Sequence, residues 1–511
     1  MKSKLTWISI LLLLILLGFQ YGVTLNEHLK TPSSQWSSAQ SLYEGKSNYS
    51  SIESVKEETG YTVTLKDLQK QDILICDNDL NSCSYDRTIS DGATHKYTYN
   101  DKKTSYYIED DQLVLSTDEG RKVIADASNF TVGGEQIAYW NDDLQVVLVD
   151  INTLEEVQDF QMAQPVKTGS FIDGQLFILT EDAKSRVLTG YIEKNMSQPL
   201  FSFPIKASEN LQSIQLFSPE EGKFGILLDV EILAGGGRTK YISYAEFGDE
   251  IGQQLQLTKL SFKDAESGSR LEDVRNPYVW DGENENTISF SAGGYDTSGQ
   301  YATRIYVGDF SGDEMTAYAA TKSDELFSRP HLVDQKNVLI FALDGKEKSL
   351  SYSSADPVKV ANSSHVGEGD VKTAILKLLT LLTHGMILLL VSFLWFLPAL
   401  GITYGIQAVF RKMYKTISEQ TLFYIHSVVL FLIQLIIFTK VFYVEQFVVT
   451  IPFLNHVGQL ILLLAVCIII SMLPILFIRK RLTEENFNSS IMYVTFTNLV
   501  ILLIVIGPYF L

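Results

Sequence analysis

From Val371 to the end of the chain, hydrophobic residues cluster into four long runs that polar and basic residues separate. A helix needs about 20 apolar residues to cross the hydrocarbon core of a bilayer, and only a segment that satisfies its own backbone hydrogen bonds is stable there. The pattern therefore predicts an α-helical transmembrane bundle. Its membrane segments are predicted at residues 371–410, 421–443, 457–478 and 489–511.

The first of these segments is longer than one crossing requires. It ends at the basic residues Arg411 and Lys412, and counting about 20 residues back places the span near 389–410. Residues 374–388 would then form an interfacial, juxtamembrane helix. A single tilted helix with a kink at Pro398 is the alternative, and the sequence leaves both open.

The beginning of the chain has the pattern of a targeting segment. In residues 1–24, Lys2 and Lys4 precede an apolar run, which predicts a signal peptide or a signal anchor. No small-residue cleavage pattern follows the run, so an uncleaved anchor is the favoured interpretation. It would be the first of five crossings.

Charge predicts how these segments are oriented. Basic clusters at Arg411 and Arg479 mark cytoplasmic loops by the positive-inside rule. The N-terminus is then cytoplasmic, while residues 25–370 and the C-terminus are extracellular, in a multi-pass protein of the cell membrane. Of the net charge of −19, residues 25–370 carry −26 and the rest of the chain +7. So acidic an exterior argues against nucleic-acid binding and permits cationic ligands, although a solvated surface explains it as well.

The extracellular region has the texture of an all-β domain. Residues 25–60 are polar and predict a tether, whereas residues 61–365 alternate short apolar runs with Gly, Asp and Asn turns. No long helical stripe interrupts them. The clearest strand candidates are residues 62–65, 73–76, 105–108, 145–151, 175–180, 223–230, 241–245, 287–291, 303–307 and 337–342.

A repeated phrase suggests how the strands are arranged. An apolar residue, an acidic turn and an apolar strand recur from Ile108, Trp140, Phe171 and Leu332, the middle copies about 30 residues apart. Residues 145–155 resemble the strand and turn of propeller repeats in the quinoprotein-like group. The resemblance implies a β-propeller, of about six to eight blades. One or two β-sandwiches are the alternative.

One loop is a candidate metal site. Residues 308–314 resemble the calcium loop of integrin-type propeller repeats, in which alternating oxygen ligands wrap a hard cation. The resemblance implies Asp309, Ser311 and Asp313 as calcium ligands. Glu314 stands where glycine is usual, and a later carboxylate is missing, so a turn that binds no metal is the favoured interpretation. We expect no other cofactor.

The cysteines indicate an oxidising compartment for the extracellular region. Cys76 and Cys83 flank a turn-rich stretch, and we expect a disulfide between them. The remaining Cys467 lies within an apolar run and predicts no chemistry.

Polar side chains inside the predicted membrane segments are candidates for function, because an unpaired polar group is costly there. The candidates are His384, His426, Gln434, Lys440 and His456. They lie at different predicted depths, so we do not expect them to form a single site.

The extracellular region contains no nucleophile elbow, metalloprotease motif or phosphate-binding loop, and we predict that the protein is not an enzyme. We predict a multi-pass surface protein that binds or senses an unidentified ligand or partner and couples to another membrane protein. The alternative is a transporter or transport-accessory subunit with an extracellular gating or collecting domain. Residue usage indicates a bacterium with an AT-rich genome.

Overall fold

The computed structural model divides the chain into two units. A strand-rich unit comprises Thr31–Thr297 and Tyr301–Ser363, and a helical unit comprises Met1–Lys30 and Ser364–Leu511. The structure describes residues 2–509 except for 68–69, 90–95, 100–103, 118–119, 142–143, 221, 235–236, 281–286, 296–300, 311–313, 323–325, 364–367, 413–417, 441–450, 452–453, 455 and 479–483.

The strand-rich unit is built from short strands, as the alternating pattern predicts. In chain order they are β1 (Gln40–Ser47), β2 (Ser51–Glu57), β3 (Gly60–Lys66), β4 (Gln71–Asp77), β5 (Cys83–Ile89), β6 (Lys96–Tyr99), β7 (Thr104–Glu109), β8 (Gln112–Thr117), β9 (Gly120–Asp126), β10 (Asn129–Gly133), β11 (Gln136–Trp140), β12 (Gln145–Asp150), β13 (Glu156–Gln161), β14 (Val166–Ile172), β15 (Gln175–Asp182), β16 (Val187–Ile192), β17 (Phe201–Pro204), β18 (Glu209–Glu220), β19 (Lys223–Ala234), β20 (Gly237–Phe247), β21 (Gln253–Gln254), β22 (Thr258–Lys259), β23 (Ser261–Asp264), β24 (Glu272–Trp280), β25 (Thr287–Tyr295), β26 (Tyr301–Asp309), β27 (Glu314–Ala319), β28 (Phe327–Leu332), β29 (Asn337–Asp344) and β30 (Glu347–Ser354). A single 3-10 turn, Glu193–Asn195, follows β16.

These strands form seven sheets of four or five strands each. We number the sheets as blades: blade 1 is β2–β5, blade 2 is β6–β9, blade 3 is β10–β13, blade 4 is β14–β17 with β21, blade 5 is β18–β20 with β22, blade 6 is β23–β27, and blade 7 is β28–β30 with β1. From blade 3 round to blade 1, first strands of neighbouring blades contact each other, including β28 with β2, so the last blade meets the first. The strand-rich unit is a seven-bladed β-propeller, which confirms the predicted fold and excludes the sandwich alternative.

The ring is closed by the start of the propeller chain. Strand β1 pairs antiparallel with β30, with Gln40 opposite Tyr352, and so supplies the outer strand of blade 7. Just before it, Ser37 donates its N–H to the Ser354 carbonyl at 2.8 Å. Residues 40–57, inside the predicted polar tether, are therefore β1 and β2. The tether prediction fails here because the partner of β1 lies about 300 residues away, where local composition gives no information.

The ten strand candidates all fall within the second or third strand of a blade. These strands lie between the neighbouring blades and are buried on both faces, as Val146–Val149 of β12 illustrate. Their sequences are therefore the most apolar. The first and fourth strands are more polar, and the hydrophobic pattern did not single them out.

The repeated acidic phrase marks tight hairpins. Asp110 and Asp111 adopt φ of 50° and 59° between β7 and β8, and Asp173 and Gly174 adopt φ of 51° and 72° between β14 and β15. Two-residue hairpin turns need such positive φ values, which Asp, Asn and Gly tolerate best. The first hairpin joins the second and third strands of its blade, whereas the other joins the first and second. The phrase therefore reports the turn type and not the position within a blade.

The core of the propeller lies in apolar layers between adjacent blades. Between blades 4 and 5, the ring centroid of Phe177 is 4.6 Å from that of Phe224, and Phe201 is 4.3 Å from Phe247. Between blades 6 and 7, the indole of Trp36, only 3% exposed, packs with Ile305 and other apolar side chains. The segment before β1 thus joins two blades as well as leading into β1.

The helical unit consists of α1 (Lys2–Leu29), α3 (Glu368–Gly385), α4 (Ile387–Lys412), α5 (Glu419–Lys440), α6 (Val457–Ile478), α7 (Glu484–Val505) and a terminal 3-10 turn, Gly507–Tyr509; a short helix, α2 (Pro357–Ser363), ends the propeller chain. Helix α1 packs against α3, α6 and α7, so the two helices that flank the propeller in sequence are neighbours.

Helices α3 and α4 are separate, so residues 371–410 do not form a single helix, and the interfacial position of residues 374–388 stays a prediction. The chain breaks at Met386, whose N–H bonds to the Thr383 carbonyl three residues back, at 3.1 Å. Pro398 lies inside α4. The poor helix former Gly385 at the junction accounts for the position of the break.

Four helices are long and apolar enough to cross a membrane, among the residues that the structure describes. They are Leu388–Phe410, Glu419–Lys440, Val457–Phe477 and Asn486–Val505. The apolar part of α1, Ile10–Asn26, is shorter. These assignments rest on length and composition, and the orientation of the chain stays a prediction.

Candidate functional site

The helical unit contains a line of buried polar side chains, which we call the polar ladder: Thr403 of α4, His426 and Gln434 of α5, and Thr495 and Asn498 of α7. The imidazole of His426 is fully buried between two threonines. Its Nδ1 lies 2.9 Å from the hydroxyl of Thr403, and its Nε2 lies 2.9 Å from that of Thr495. One histidine therefore connects three helices.

The hydrogen-bond partners of His426 can satisfy either a neutral or a protonated imidazole. Thr403 is also within reach of its own helix carbonyl at Ala399, 2.8 Å away, and Thr495 of that at Ile491, 2.9 Å away. A threonine has one hydroxyl proton to donate, and a neutral imidazole has one N–H. With a neutral ring, one threonine donates to the ring and the other to its carbonyl. If both threonines donate to their carbonyls, both ring nitrogens can carry protons and remain satisfied.

The next level of the polar ladder is a pair of amides. Gln434 donates from Nε2 to Oδ1 of Asn498 at 2.5 Å, and both side chains are at most 1% exposed. Gln434 Oε1 and Asn498 Nδ2 have no partner within the part of the chain that the structure describes. An acceptor and a donor are thus left beside each other in an apolar setting. A water molecule, an amide or a carboxylic acid would satisfy both.

The two levels are related by the spacing along α5. His426 and Gln434 are eight residues apart, which is about 12 Å of helix. Eight residues are two full turns plus about 80°, so the two side chains lie within one broad face of α5. The sequence singled out both residues, and the structure brings each against α7.

Of the other three candidates from the sequence, Lys440 and His456 lie outside the polar ladder. Lys440 is the last residue of α5 and is exposed. His456 precedes α6, and its Nδ1 accepts the N–H of Gln459 at 3.3 Å, which caps that helix. His384 lies near the end of α3, and its side chain is outside the described residues. The four candidates whose side chains the structure describes do not come together at one site, and for His384 the prediction stays open to test.

Sequence reasoning missed Thr403, Thr495 and Asn498. Threonine is unremarkable in an apolar helix because it can bond to its own backbone. Asn498 was a usable signal, since an amide in the middle of an apolar run is as costly as Gln434. What could not be predicted is which helix faces the histidine.

In the propeller, the first strands of three blades meet at His331. Its Nε2 lies 2.8 Å from the Ser54 hydroxyl on β2, and its ring lies 4.2 Å from that of Tyr278 on β24. Burial lowers the pKa of His331 to about 3 and raises that of Tyr278 to about 12. The neighbouring Glu53 is ion-paired with Lys66. The histidine is thus neutral, and the cluster joins blades 7, 1 and 6.

The first strands near this cluster are irregular. Asp273 and Asn276 of β24 and Arg329 of β28 have φ of 50°, 50° and 52°, at shifts in the strand register. Asp229 of β19 accepts the Asn276 N–H at 2.8 Å, and burial raises the pKa of this carboxyl. These bulges let side chains of three blades meet without breaking the sheets.

Of the three predicted calcium ligands, one lies within the described residues. Asp309 is the exposed last residue of β26, whereas Ser311 and Asp313 lie outside the described residues. Glu314 begins β27 and is ion-paired with Lys263. Within the ranges that the structure covers, no group of three or more His, Cys, Asp or Glu side chains could hold a metal ion. The calcium loop stays a prediction.

A disulfide joins Cys76 and Cys83. The two residues are directly opposite each other on β4 and β5 of blade 1. In the turn between these strands, Asp77 accepts the Asn81 N–H at 2.7 Å. The aspartate and asparagine residues of this stretch therefore shape the turn.

Comparison with known proteins does not assign the chain to a family. No family model matches the chain, and no curated protein sequence matches it. Solved structures that resemble it include the N-terminal domain of Nup159 (10% identity, 64% of this chain and 97% of that chain, TM-score 0.37), the WD40 domain of Neurospora crassa Pan2 (8%, 61%, 90%, 0.36) and the C-terminal WD40 domain of Sif2 (11%, 62%, 98%, 0.34). The fold assignment rests on the seven sheets themselves.

Proposed function

We propose that this protein is a multi-pass membrane protein of the cell surface whose propeller binds a partner protein or ligand and whose helices dock a second membrane protein. One observation carries the proposal: a complete propeller is inserted between two helices that pack together, α1 and α3. Propellers present loops and clefts on a rigid ring, which suits them to binding.

The two ends of the propeller chain support this arrangement. Ser37 and Ser354 are hydrogen-bonded to each other, so the chain enters and leaves the propeller at blade 7. A domain inserted into a loop between two membrane helices needs its ends close together. The disulfide in blade 1 and the acidic charge of residues 25–370 support an extracellular position.

Labelling of introduced cysteines tests the location. In a C467S background, we expect S197C, on the exposed surface of the propeller, to react with a membrane-impermeant maleimide on intact cells. Q420C, at the exposed start of α5, should react only after lysis. Labelling of Q420C but not S197C on intact cells would reverse the proposed orientation.

Site-specific photo-crosslinking tests the docking of a second membrane protein. Phe477 on α6 and Leu390 on α4 are 78% and 73% exposed, the most exposed large apolar side chains described on these two helices. A photo-reactive residue at one of these positions should capture a protein of defined mass in cells, and the buried Leu464 provides the matched control. Lipid adducts alone at both exposed positions would remove the docking role.

A transport or transport-accessory role is the second candidate, and the polar ladder favours it. A buried histidine that tolerates two protonation states, one level from an unpaired donor and acceptor, suits a proton or a small polar solute. In reconstituted liposomes, this function predicts proton uptake that H426F abolishes. Equal uptake with H426F would exclude the ladder from transport.

A further inference from the structure

Blade 5 lacks most of its fourth strand. Strand β20 has eleven residues, Gly237–Phe247, but its outer neighbour β22 has two and pairs only with Ser243 and Tyr244. The fourth strands of the other blades have four to eight residues, and blade 4 adds the two-residue β21 outside its fourth strand. After Leu260 the chain leaves blade 5 and becomes β23 of blade 6.

The uncovered part of β20 presents backbone hydrogen-bonding groups. The Leu260 N–H donates to the Ile242 carbonyl at 2.9 Å, so Ile242 faces the outer edge of the sheet. Alternate residues of a strand face the same edge, so Lys240 and Arg238 face it too. No described strand pairs with them. The open stretch Gly237 to Tyr241 is five residues, or about 17 Å of strand.

Two clefts lie on opposite faces of the sheet at this edge, and Tyr241 and Lys259 line both. The cleft towards blade 4 has a volume of about 410 Å³ and is mainly apolar, with Leu211, Ile232 and Leu257 in its wall. The cleft towards blade 6 has a volume of about 290 Å³ and is more polar, with Arg270 in its wall.

The clefts match the two faces of an added strand. Tyr241 pairs with Val230 and faces the blade 4 side, whereas Lys240 pairs with Glu231 and faces the blade 6 side. Side chains of a strand alternate between faces. A segment hydrogen-bonded along Gly237 to Tyr241 would send every second side chain into the apolar cleft and the others into the polar one.

We propose that blade 5 binds an extended segment of a partner protein by strand addition along β20. The segment has apolar side chains at every second position and polar ones between them. This rests on the proposed function, that the propeller binds a partner, and it names the surface and the chemistry of the bound segment. Main-chain hydrogen bonds supply affinity and the two clefts supply specificity, as in other strand additions.

The experiment uses the full chain in detergent and two fluorescent eight-residue peptides. One alternates Val or Leu with Ser and Glu, and the other has the same residues with the apolar ones in one block. Fluorescence anisotropy should show at least tenfold tighter binding of the alternating peptide. Equal binding of the two peptides, or no binding of either, would overturn the proposal.

Two substitutions of Lys240 distinguish the contribution of its backbone N–H to binding from that of its side-chain charge. K240P removes the N–H that faces the open edge. The hydrogen bonds between β20 and β19 at this point are made by Thr239 and Tyr241, so the sheet keeps them. This variant should bind the alternating peptide at least tenfold more weakly. K240A keeps the N–H and should bind within twofold of the parent. L257E, which places a charge in the apolar cleft, should also weaken binding. Unchanged binding to K240P would refute strand addition.

A second copy of the chain is the competing occupant. If β20 edges pair with each other, the parent will be a dimer by light scattering and K240P a monomer, and the proposal of a partner segment is then wrong. Failure here is distinct from failure of the proposed function, because the S197C and Q420C labelling does not depend on blade 5.

Discussion

Replacing His331 with glutamine should remove a pH-dependent loss of stability from the propeller. The ring is 7% exposed, and burial lowers its pKa to about 3, against 6.5 in the unfolded chain. Between these values the unfolded state binds a proton that the folded state excludes, so stability falls as the pH falls through 6.5 towards 3. Glutamine does not titrate, and it can keep a hydrogen bond to Ser54.

The size of the effect follows from the two pKa values. A pH of 5 is about 1.5 units below the pKa of the histidine in the unfolded chain. Protonation of the unfolded state therefore lowers the free energy of unfolding by about 2 kcal/mol relative to pH 7. The propeller has about 330 residues, so its unfolding entropy of about 0.7 kcal/mol/K converts this into a fall in Tm of about 3 °C. Most carboxylates stay ionised above pH 5, so this range reports mainly on histidine.

Thermal unfolding of the full chain in detergent, followed by the circular dichroism of the strands at pH 7 and pH 5, measures the difference. Between pH 7 and pH 5, the Tm of the parent should fall by about 3 °C more than that of H331Q. Titration elsewhere in the chain contributes equally to both proteins and cancels in the comparison. If the Tm of both proteins falls by the same amount, burial does not lower the pKa of His331 in the folded state, and the argument from burial is wrong.

Three further predictions concern stability. W36A should destabilise the propeller by about 3–5 kcal/mol in urea unfolding, because the buried indole joins blades 6 and 7. C76S with C83S should cost about 2.5 kcal/mol by the same assay, since the disulfide closes a loop of about eight residues in the unfolded chain. In the polar ladder, Q434L and N498L should each destabilise the helical unit. The double variant should destabilise it by less than the sum of the two single effects, with a coupling of about 0.6–1.7 kcal/mol in a double-mutant cycle.

Each of these has a matched control. V157A removes methyl groups from a side chain that is 55% exposed and should change stability by less than about 0.5 kcal/mol. Reductant should lower the stability of the parent but leave that of C76S with C83S unchanged. A side chain outside the polar ladder, the exposed Val428 of α5, should show no coupling to Asn498. Coupling of equal size there would mean that the amide pair is not specific.

Part of the polar ladder was visible in the sequence. His426 and Gln434 stand out in an apolar run because a polar group there must find a partner. Their partners Thr403, Thr495 and Asn498 depend on how α4 and α7 rotate against α5. That rotation is set by the packing of whole helix faces, which no single residue reveals.

The propeller shows the same division. The second and third strands were predicted because both of their faces are buried and their sequences are apolar. The polar sequence of the outer strand β1 predicts a tether, because the strand is half exposed and its partner β30 is distant in sequence. The acidic hairpin phrase was found correctly, but it occurs at two different positions within a blade and could not give the blade boundaries.

The sequence by itself determined the features that depend on near neighbours along the chain. These are the apolar helices of the C-terminal region, the central strands of the blades and the turns that need Asp or Gly at positive φ. Only the tertiary structure decided the seven blades, the closure by β1, the meeting of His426 with two threonines, and the open edge of β20. Those features depend on contacts between distant segments, and such contacts are selected by the packing of the whole chain and not by any local pattern.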